Sequence, residues 1–319
     1  VCQHVRRAHM AAASSDPDPL LIAGGYSAEV RFLDAHRGDV QRTLTLQDYG
    51  HVNCLAVQSG RRLAVAGNPH IKCFDIHGSV REMPVCEYDG HKNNVCSLGF
   101  EVTGRWLYSG SEDGTIRVWD CRAQKCQLCY ENNGMFERIA VHSVDLHPNQ
   151  VELIAGDNQG KVLVWDLTAN RVRRTLIPEE GVPVRSVCIA PDGKVVVCAN
   201  HEGTCYVWQL SDDSFDPLQK IDAHSTYVLR CLFSPDAKYL ATTSADNTTN
   251  LWQSHLEGFE RSYTLTGHNK WVWDCAFSSD GQYLVTGSSD CTCRLWDIRS
   301  GEQRLEFTGF KKGVTAISL

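Results

Sequence analysis

The chain has 319 residues, of which 42% are hydrophobic and 22% charged, and its 31 basic and 38 acidic residues give a formal net charge of −7. This composition predicts a folded protein, and the negative balance argues against a nucleic acid partner, which would need a basic surface. No stretch approaches the roughly 20 apolar residues of a membrane-spanning helix, so we expect no direct membrane insertion.

Residues 1–19 include the polar, proline-containing segment SSDPDP, and we expect them to form a disordered N-terminal extension before one folded region over 20–319. The 15 cysteines are spread singly through apolar runs, as is typical of a reducing compartment. Neither Cys126-x-x-Cys129 nor Cys291-x-Cys293 has a second ligand pair at zinc spacing. The sequence therefore predicts no metal and no cofactor.

A motif in which a turn residue is followed six positions later by tryptophan, or by another apolar residue, recurs along the chain. SEDGTIRVWD (111–120), SADNTTNLWQ (244–253) and SSDCTCRLWD (288–297) are its clearest copies. The seven tryptophan positions are Leu33, Phe74, Trp119, Trp165, Trp208, Trp252 and Trp296. Their spacing of about 41 to 46 residues is the period of a four-stranded propeller blade.

Six of these motifs follow a second strand-like segment, such as VCSLGF (95–100) or VWDCAF (272–277). A seventh such segment, VTAISL (314–319), comes at the end of the chain, whereas the motif at Leu33 has none before it. The two ends therefore complete one blade, and a closed ring leaves no long open sheet edge. We predict an all-β, seven-bladed propeller closed by pairing of the C-terminal strand with the N-terminal blade.

Three repeats also carry a histidine, a hydroxyl residue, an aspartate and a tryptophan at matching offsets. These sets are His91, Ser109, Asp113 and Trp119; His224, Thr242, Asp246 and Trp252; and His268, Thr286, Asp290 and Trp296. They resemble the tetrads of WD repeats, in which a hydrogen-bond relay satisfies polar groups inside a blade. Because the sets repeat at fixed offsets from a structural tryptophan, we interpret them as folding devices and predict no catalytic residue.

Aligned on their first valine, the strand-like segments stay apolar three and five residues further on, which predicts a core-facing row. The positions directly before and after the valine vary freely, so we expect them on the top rim. There Trp271 and Trp273 adjoin Tyr227 and Leu229, and an apolar patch of this kind is typical of a partner-binding surface. The alternative, that both indoles fold over the channel mouth and pack on neighbouring blades, stays open.

Several segments closely resemble the G-protein-beta-subunit-like WD-repeat protein of the target-of-rapamycin (TOR) kinase complexes. They are HPNQVELIAGDNQGKVLVWDL (147–167), GTCYVWQL (203–210), STYVLRCLFSPDAKYLATTSAD (225–246) and KWVWDCAFSSDGQYLV (270–285). The resemblance implies a seven-bladed WD-repeat β-propeller that acts as a non-catalytic subunit of both TOR complexes, binding and stabilising the TOR kinase domain in nutrient and growth signalling. It also implies contacts with other subunits, and a cytoplasmic protein recruited to endomembrane or lysosome and vacuole surfaces through the complex.

By the same resemblance, Trp271 and Trp273 match kinase-facing tryptophans, and His51 with Asn53 occupy the corresponding rim of the second blade. Leu33 departs from the pattern, since relatives carry tryptophan there. A competing hypothesis is an adaptor that reads a peptide or phosphopeptide over the channel mouth through Arg185 and Arg230.

Overall fold

The computed structural model describes residues 20–46, 50–58, 61–76, 83–134, 137–211, 214–255 and 257–319. The predicted N-terminal extension over 1–19 lies outside them. The described residues fold into seven four-stranded antiparallel sheets and contain no helix, hence none long and apolar enough to cross a membrane. This confirms the predicted all-β, seven-bladed propeller.

Each sheet is one blade, and the strands are numbered in chain order. The first three blades contain β1 (Leu20–Gly25), β2 (Glu29–Asp34), β3 (Val40–Thr45); β4 (Cys54–Gln58), β5 (Arg62–Ala66), β6 (Ile71–Asp75), β7 (Cys86–Tyr88); and β8 (Val95–Phe100), β9 (Trp106–Ser111), β10 (Thr115–Asp120), β11 (Lys125–Glu131). Blades 4 and 5 contain β12 (Val141–Leu146), β13 (Glu152–Asp157), β14 (Val162–Asp166), β15 (Arg171–Leu176); and β16 (Val184–Ile189), β17 (Val195–Asn200), β18 (Thr204–Ser211), β19 (Ser214–Asp222). Blades 6 and 7 contain β20 (Val228–Phe233), β21 (Tyr239–Ser244), β22 (Thr249–His255), β23 (Gly258–Leu265); and β24 (Val272–Phe277), β25 (Tyr283–Ser288), β26 (Cys293–Asp297), β27 (Gln303–Phe307).

The last strand, β28 (Val314–Ser318), completes blade 1 and closes the ring. It pairs antiparallel with β1, with Ala23 opposite Ile317 and Gly24 opposite Ala316. The innermost strands β4, β8, β12, β16, β20, β24 and β28 each contact the next, and β28 contacts β4. The predicted closure is therefore confirmed, and Thr315 Oγ1 adds a hydrogen bond of 2.5 Å to the carbonyl of Val52 in blade 2.

The core lies between successive blades. The first valine of every inner segment is buried, as are the residues at the seven tryptophan positions, including Leu33 and Phe74. The apolar row predicted to face the core is buried in blades 5 to 7, but in the other blades it is half-buried at Leu55, Val57, Leu98, Phe100, Leu146 and Leu319. That part of the prediction was incomplete, and two of these residues, Leu55 and Leu98, line the central channel.

Candidate functional site

The channel mouth is built by a bulge that recurs in the innermost strands. In blades 3 to 7 the strand register shifts directly after the first valine, for example between Val95 and Ser97 and between Val272 and Asp274. A bulged residue is left out of the strand pairing, and its side chain is re-aimed. The bulge explains why the position after the valine does not follow the apolar pattern of its strand.

The re-aimed side chains surround a cavity of about 320 Å³ at the centre of the ring. All seven residues that follow the first valine line it: Asn53, Cys96, His142, Arg185, Leu229, Trp273 and Thr315. We predicted these positions on the top rim, and the structure places them around the channel mouth. In blades 3 to 7 the bulge turns the side chain toward the axis of the ring.

A line of aromatic rings crosses this mouth. Starting in blade 5, the ring-centroid separations are 4.9 Å for His201–Tyr227, 6.3 Å for Tyr227–Trp271, 5.5 Å for Trp271–Trp273, 6.2 Å for Trp273–Tyr26 and 6.3 Å for Tyr26–His51. We call these six residues the aromatic arc. The arc joins five consecutive blades and passes over the seam where the ring closes, so one surface combines side chains from both ends of the described chain.

The two tryptophans of the arc differ in exposure. Trp271 is 42% exposed and Tyr227 beside it is 44% exposed. Trp273 is half-buried, and its indole N–H donates a hydrogen bond of 2.6 Å to Ser289 Oγ. Trp273 is therefore a supporting residue held by its own blade, whereas Trp271 presents a large apolar face to solvent. Such exposed apolar patches are typical of protein interaction sites.

Four of the six residues predicted to form a partner-binding rim belong to the arc: His51, Tyr227, Trp271 and Trp273. Leu229 and Asn53 are half-buried in the channel lining and make no ring contact. Sequence analysis missed Tyr26 and His201, which directly follow the second strand of their blades. The backbone N–H of each donates a hydrogen bond to the carbonyl of the residue just before the innermost strand. The acceptor is Gly313 for Tyr26 and Pro183 for His201. The same backbone hydrogen bond recurs in other blades, at Glu112, Asn158, Ala245 and Ser289. Aligning the repeats on the residue after the second strand would therefore have shown that Tyr26 and His201 occupy equivalent positions.

The opposite side of the mouth, in blades 3 to 5, is polar. His142 Nε2 donates to Asn158 Oδ1 at 3.0 Å, and Arg185 Nη1 lies 3.3 Å from His142 Nδ1. Asn94 Nδ2 donates to Glu112 Oε2 at 2.8 Å. Burial and the nearby Arg185 lower the pKa of His142, and the same two causes lower that of His201 to about 4. Both imidazoles are therefore neutral at physiological pH.

Two half-buried aspartates of the innermost strands join neighbouring blades, and one of them, Asp274, lines the channel. Asp274 Oδ2 accepts the backbone N–H of Ile317 at 2.8 Å, and Asp145 Oδ2 accepts that of Ile189 at 2.9 Å. Arg230 Nε lies 3.4 Å from Asp274 Oδ1. Because Arg230 is paired in this way, it does not combine with Arg185 into the open cationic cluster that the phosphopeptide hypothesis needs.

The three tetrads lie inside their blades, away from the mouth. Histidine Nδ1 is 2.9–3.0 Å from the aspartate, Nε2 is 2.7–2.9 Å from the hydroxyl oxygen, and the indole N–H donates to that oxygen at 2.8–3.0 Å. A threonine two residues after each aspartate also donates to it, at 2.6–2.7 Å: Thr115, Thr248 and Thr292. Sequence analysis missed these threonines, although their fixed offset was visible.

The tetrad geometry favours a folding role. Burial raises the pKa of Asp113, but hydrogen bonds from His91 and Thr115 outweigh it and hold that pKa well below its usual range. The His91 side chain is 1% exposed, so the relay presents no open face to a substrate. Among the residues that the structure describes, no three His, Cys, Asp or Glu side chains come together as a metal site.

Comparison with known proteins identifies the repeat and its relatives. The WD domain, G-beta repeat family matches residues 82–120, 171–209, 215–253 and 259–297. The chain is 45% identical over 226 residues to the target of rapamycin complex subunit LST8-1 of Arabidopsis thaliana, covering 69% of this chain and 72% of that protein. It is 41% identical over 220 residues to the target of rapamycin complex subunit wat1 of Schizosaccharomyces pombe, covering 67% of this chain and 68% of that protein.

A third relative is the Arabidopsis thaliana protein named non-functional target of rapamycin complex subunit LST8-2, which is 41% identical over 226 residues, or 69% of this chain and 70% of that protein. At these identities and coverages, the shared WD-repeat propeller and its sequence define one family. The chain belongs to the LST8 family of WD-repeat proteins.

Proposed function

We propose that this protein is a non-catalytic scaffold subunit of TOR kinase complexes and that it docks on the TOR kinase domain through the aromatic arc. The observation that carries the proposal is the exposed pair Trp271 and Tyr227 within a ring-to-ring line across five blades. Docking on this surface would stabilise the kinase domain and support nutrient and growth signalling. Other subunits of the complexes are further partners.

Family membership alone does not carry this function, because one relative of 41% identity is named non-functional. The arc supplies the second argument. A tryptophan that is 42% exposed keeps roughly 100 Å² in contact with water, and removing that area contributes about 2–3 kcal/mol at most. Tyr227 adds a comparable face, which is enough for the centre of a binding interface.

A scaffold role is also consistent with the hydrogen bonding of the three tetrads. Each histidine of a tetrad is hydrogen-bonded on both ring nitrogens within its own blade. A general base must instead reach a substrate proton. We place the protein in the cytoplasm, with recruitment to endomembrane or lysosome and vacuole surfaces through its partners.

The test is co-purification of the TOR kinase domain with variants of the arc. We expect Trp271→Ala to weaken binding by about tenfold or more, and Trp271→Ala with Trp273→Ala to abolish co-purification, because the centre of the interface is removed. Trp106→Ala is the matched control, since Trp106 is half-buried against Tyr108 at the other end of its blade. Unchanged co-purification by the double variant, with a melting temperature near that of the parent, would refute the proposal.

A further inference from the structure

Arg185 holds an unusual position at the channel mouth. It lines the central cavity from the bulge of β16. Its Nη1 faces Nδ1 of the neutral His142, whose Nε2–H is occupied by Asn158. Among the residues that the structure describes, Arg185 has a hydrogen bond with His142 but forms no ion pair with a carboxylate. A cation whose hydrogen-bond partner is a neutral imidazole, in an open cavity, has an unmet preference for an anion.

The acidic groups around the cavity are already engaged. Asp274 is paired with Arg230 and accepts two backbone N–H groups. Asp145 accepts the N–H groups of Leu146 and Ile189. Glu112 is held by Asn94 in blade 3, with the His142 blade between it and Arg185. Arg185 is therefore a cation at the mouth that these carboxylates do not neutralise, and its hydrogen bond goes to the neutral His142.

The position of Arg185 relative to the arc suggests what kind of group would bind it. Arg185 and His201 belong to the same blade, and His201 is the first ring of the arc, 4.9 Å from Tyr227. A protein seated on the arc would therefore extend over Arg185. A planar guanidinium binds a carboxylate through two parallel hydrogen bonds, whereas a phosphate dianion favours several cations together. The single arginine matches one carboxylate.

We propose that Arg185 binds an aspartate or glutamate side chain of the protein that docks on the aromatic arc. This inference rests on the proposed function and adds an acidic anchor to an otherwise aromatic interface. Because the anchor enters a cavity of about 320 Å³ at the axis of the ring, it also fixes the orientation of the partner over the mouth.

The experiment measures the affinity of the full chain for the TOR kinase domain at two salt concentrations. We expect Arg185→Gln to weaken binding by about tenfold, Arg185→Glu to weaken it by about a hundredfold, and Arg185→Lys to retain part of the affinity. The loss should shrink at high salt. Arg171→Gln is the control, because Arg171 is exposed on the outer strand of blade 4, and it should bind like the parent. Restored binding of Arg185→Glu by an acidic-to-lysine change in the kinase would identify the carboxylate.

The outcomes separate the two proposals. Should Trp271→Ala weaken binding while Arg185→Gln and Arg185→Glu bind like the parent, the acidic anchor is wrong and the docking surface stands. Should Trp271→Ala bind like the parent, the docking surface itself is wrong. If phosphatase treatment of the kinase removes the effect of Arg185→Gln, the anion is a phosphate and the carboxylate proposal is overturned. Melting temperatures near the parent value exclude a folding defect.

Discussion

The two halves of the channel mouth occupy equivalent positions in the repeat and differ in chemistry. The aromatic half, in blades 6, 7 and 1, presents Tyr227, Trp271, Trp273 and Tyr26. The polar half, in blades 3 to 5, presents Asn94, Glu112, His142 and Arg185. In both halves the bulge after the first valine turns a side chain into the channel. The backbone therefore decides where a side chain points, and the residue type decides what each half can bind.

Below the mouth the halves are alike. Asp145 accepts the backbone N–H of Ile189 between blades 4 and 5, and Asp274 accepts that of Ile317 between blades 7 and 1. Burial raises the pKa of both carboxyl groups. The same aspartate-to-backbone hydrogen bond thus joins blades 4 and 5 and also blades 7 and 1, where the ring closes. The two halves therefore differ mainly in the side chains at the mouth.

The largest effect is expected where the halves are alike. Asp145→Ala and Asp274→Ala each leave buried backbone N–H groups without an acceptor, and we expect each to lower the free energy of unfolding by about 2–4 kcal/mol. Urea denaturation of the two variants measures this. A similar loss in both would show that the closing junction is held like any other.

The control for this pair is Lys311→Gln. Lys311 is an exposed lysine that pairs with Glu29 across the closing blade, with Nζ 2.6 Å from Oε1. An exposed ion pair contributes at most about 1 kcal/mol, so this variant should unfold near the parent midpoint. A loss below about 1 kcal/mol for both aspartate variants would contradict the view that these carboxylates hold the blades together.

A smaller expected effect, on the pH dependence of stability, concerns the histidines of the polar half and its border with the arc. His142 and His201 have lowered pKa values, so in the native state they take up a proton at lower pH than in the unfolded state. Their contribution to stability is therefore present above the ordinary histidine pKa of about 6.5 and is lost at lower pH, for His201 as the pH falls toward 4. Arg185→Gln removes one cause of the lowered pKa of His201, so that pKa should rise. The protein should then lose less stability as the pH falls.

Nuclear magnetic resonance titration of the His201 ring measures that shift directly, with Arg171→Gln as the control that should leave it unchanged. If the His201 titration is the same with and without Arg185, the guanidinium does not act on this end of the arc. The polar half would then be electrostatically separate from the aromatic half.

The ring and its closure could be predicted from the sequence because they depend on what every repeat has in common. Seven copies of the motif, spaced like Trp119 and Trp165, indicate the blade count, and the lone segment starting at Val314 indicates the seam. The tetrads were visible for the same reason. The repeat offsets of His91, His224 and His268 match, and the structure brings each into hydrogen-bonding distance of its aspartate.

The mouth was harder to predict because it depends on how the repeats differ. Alternation along a strand does not show that a bulge turns Trp273 and Arg185 toward the axis. Alignment on one strand also could not show Tyr26, which directly follows the second strand of blade 1 and meets Trp273 only through ring closure. Contacts between distant repeats require the folded ring.

The most direct test of the central claim is hydroxyl-radical footprinting of the chain alone and bound to the TOR kinase domain. We predict that Trp271 and Tyr227 become severalfold less reactive in the complex. Tyr263, which is 36% exposed on the outer strand of blade 6, should react equally in both states. Equal reactivity of Trp271 and Tyr227 in the free and bound chain would contradict docking through the aromatic arc.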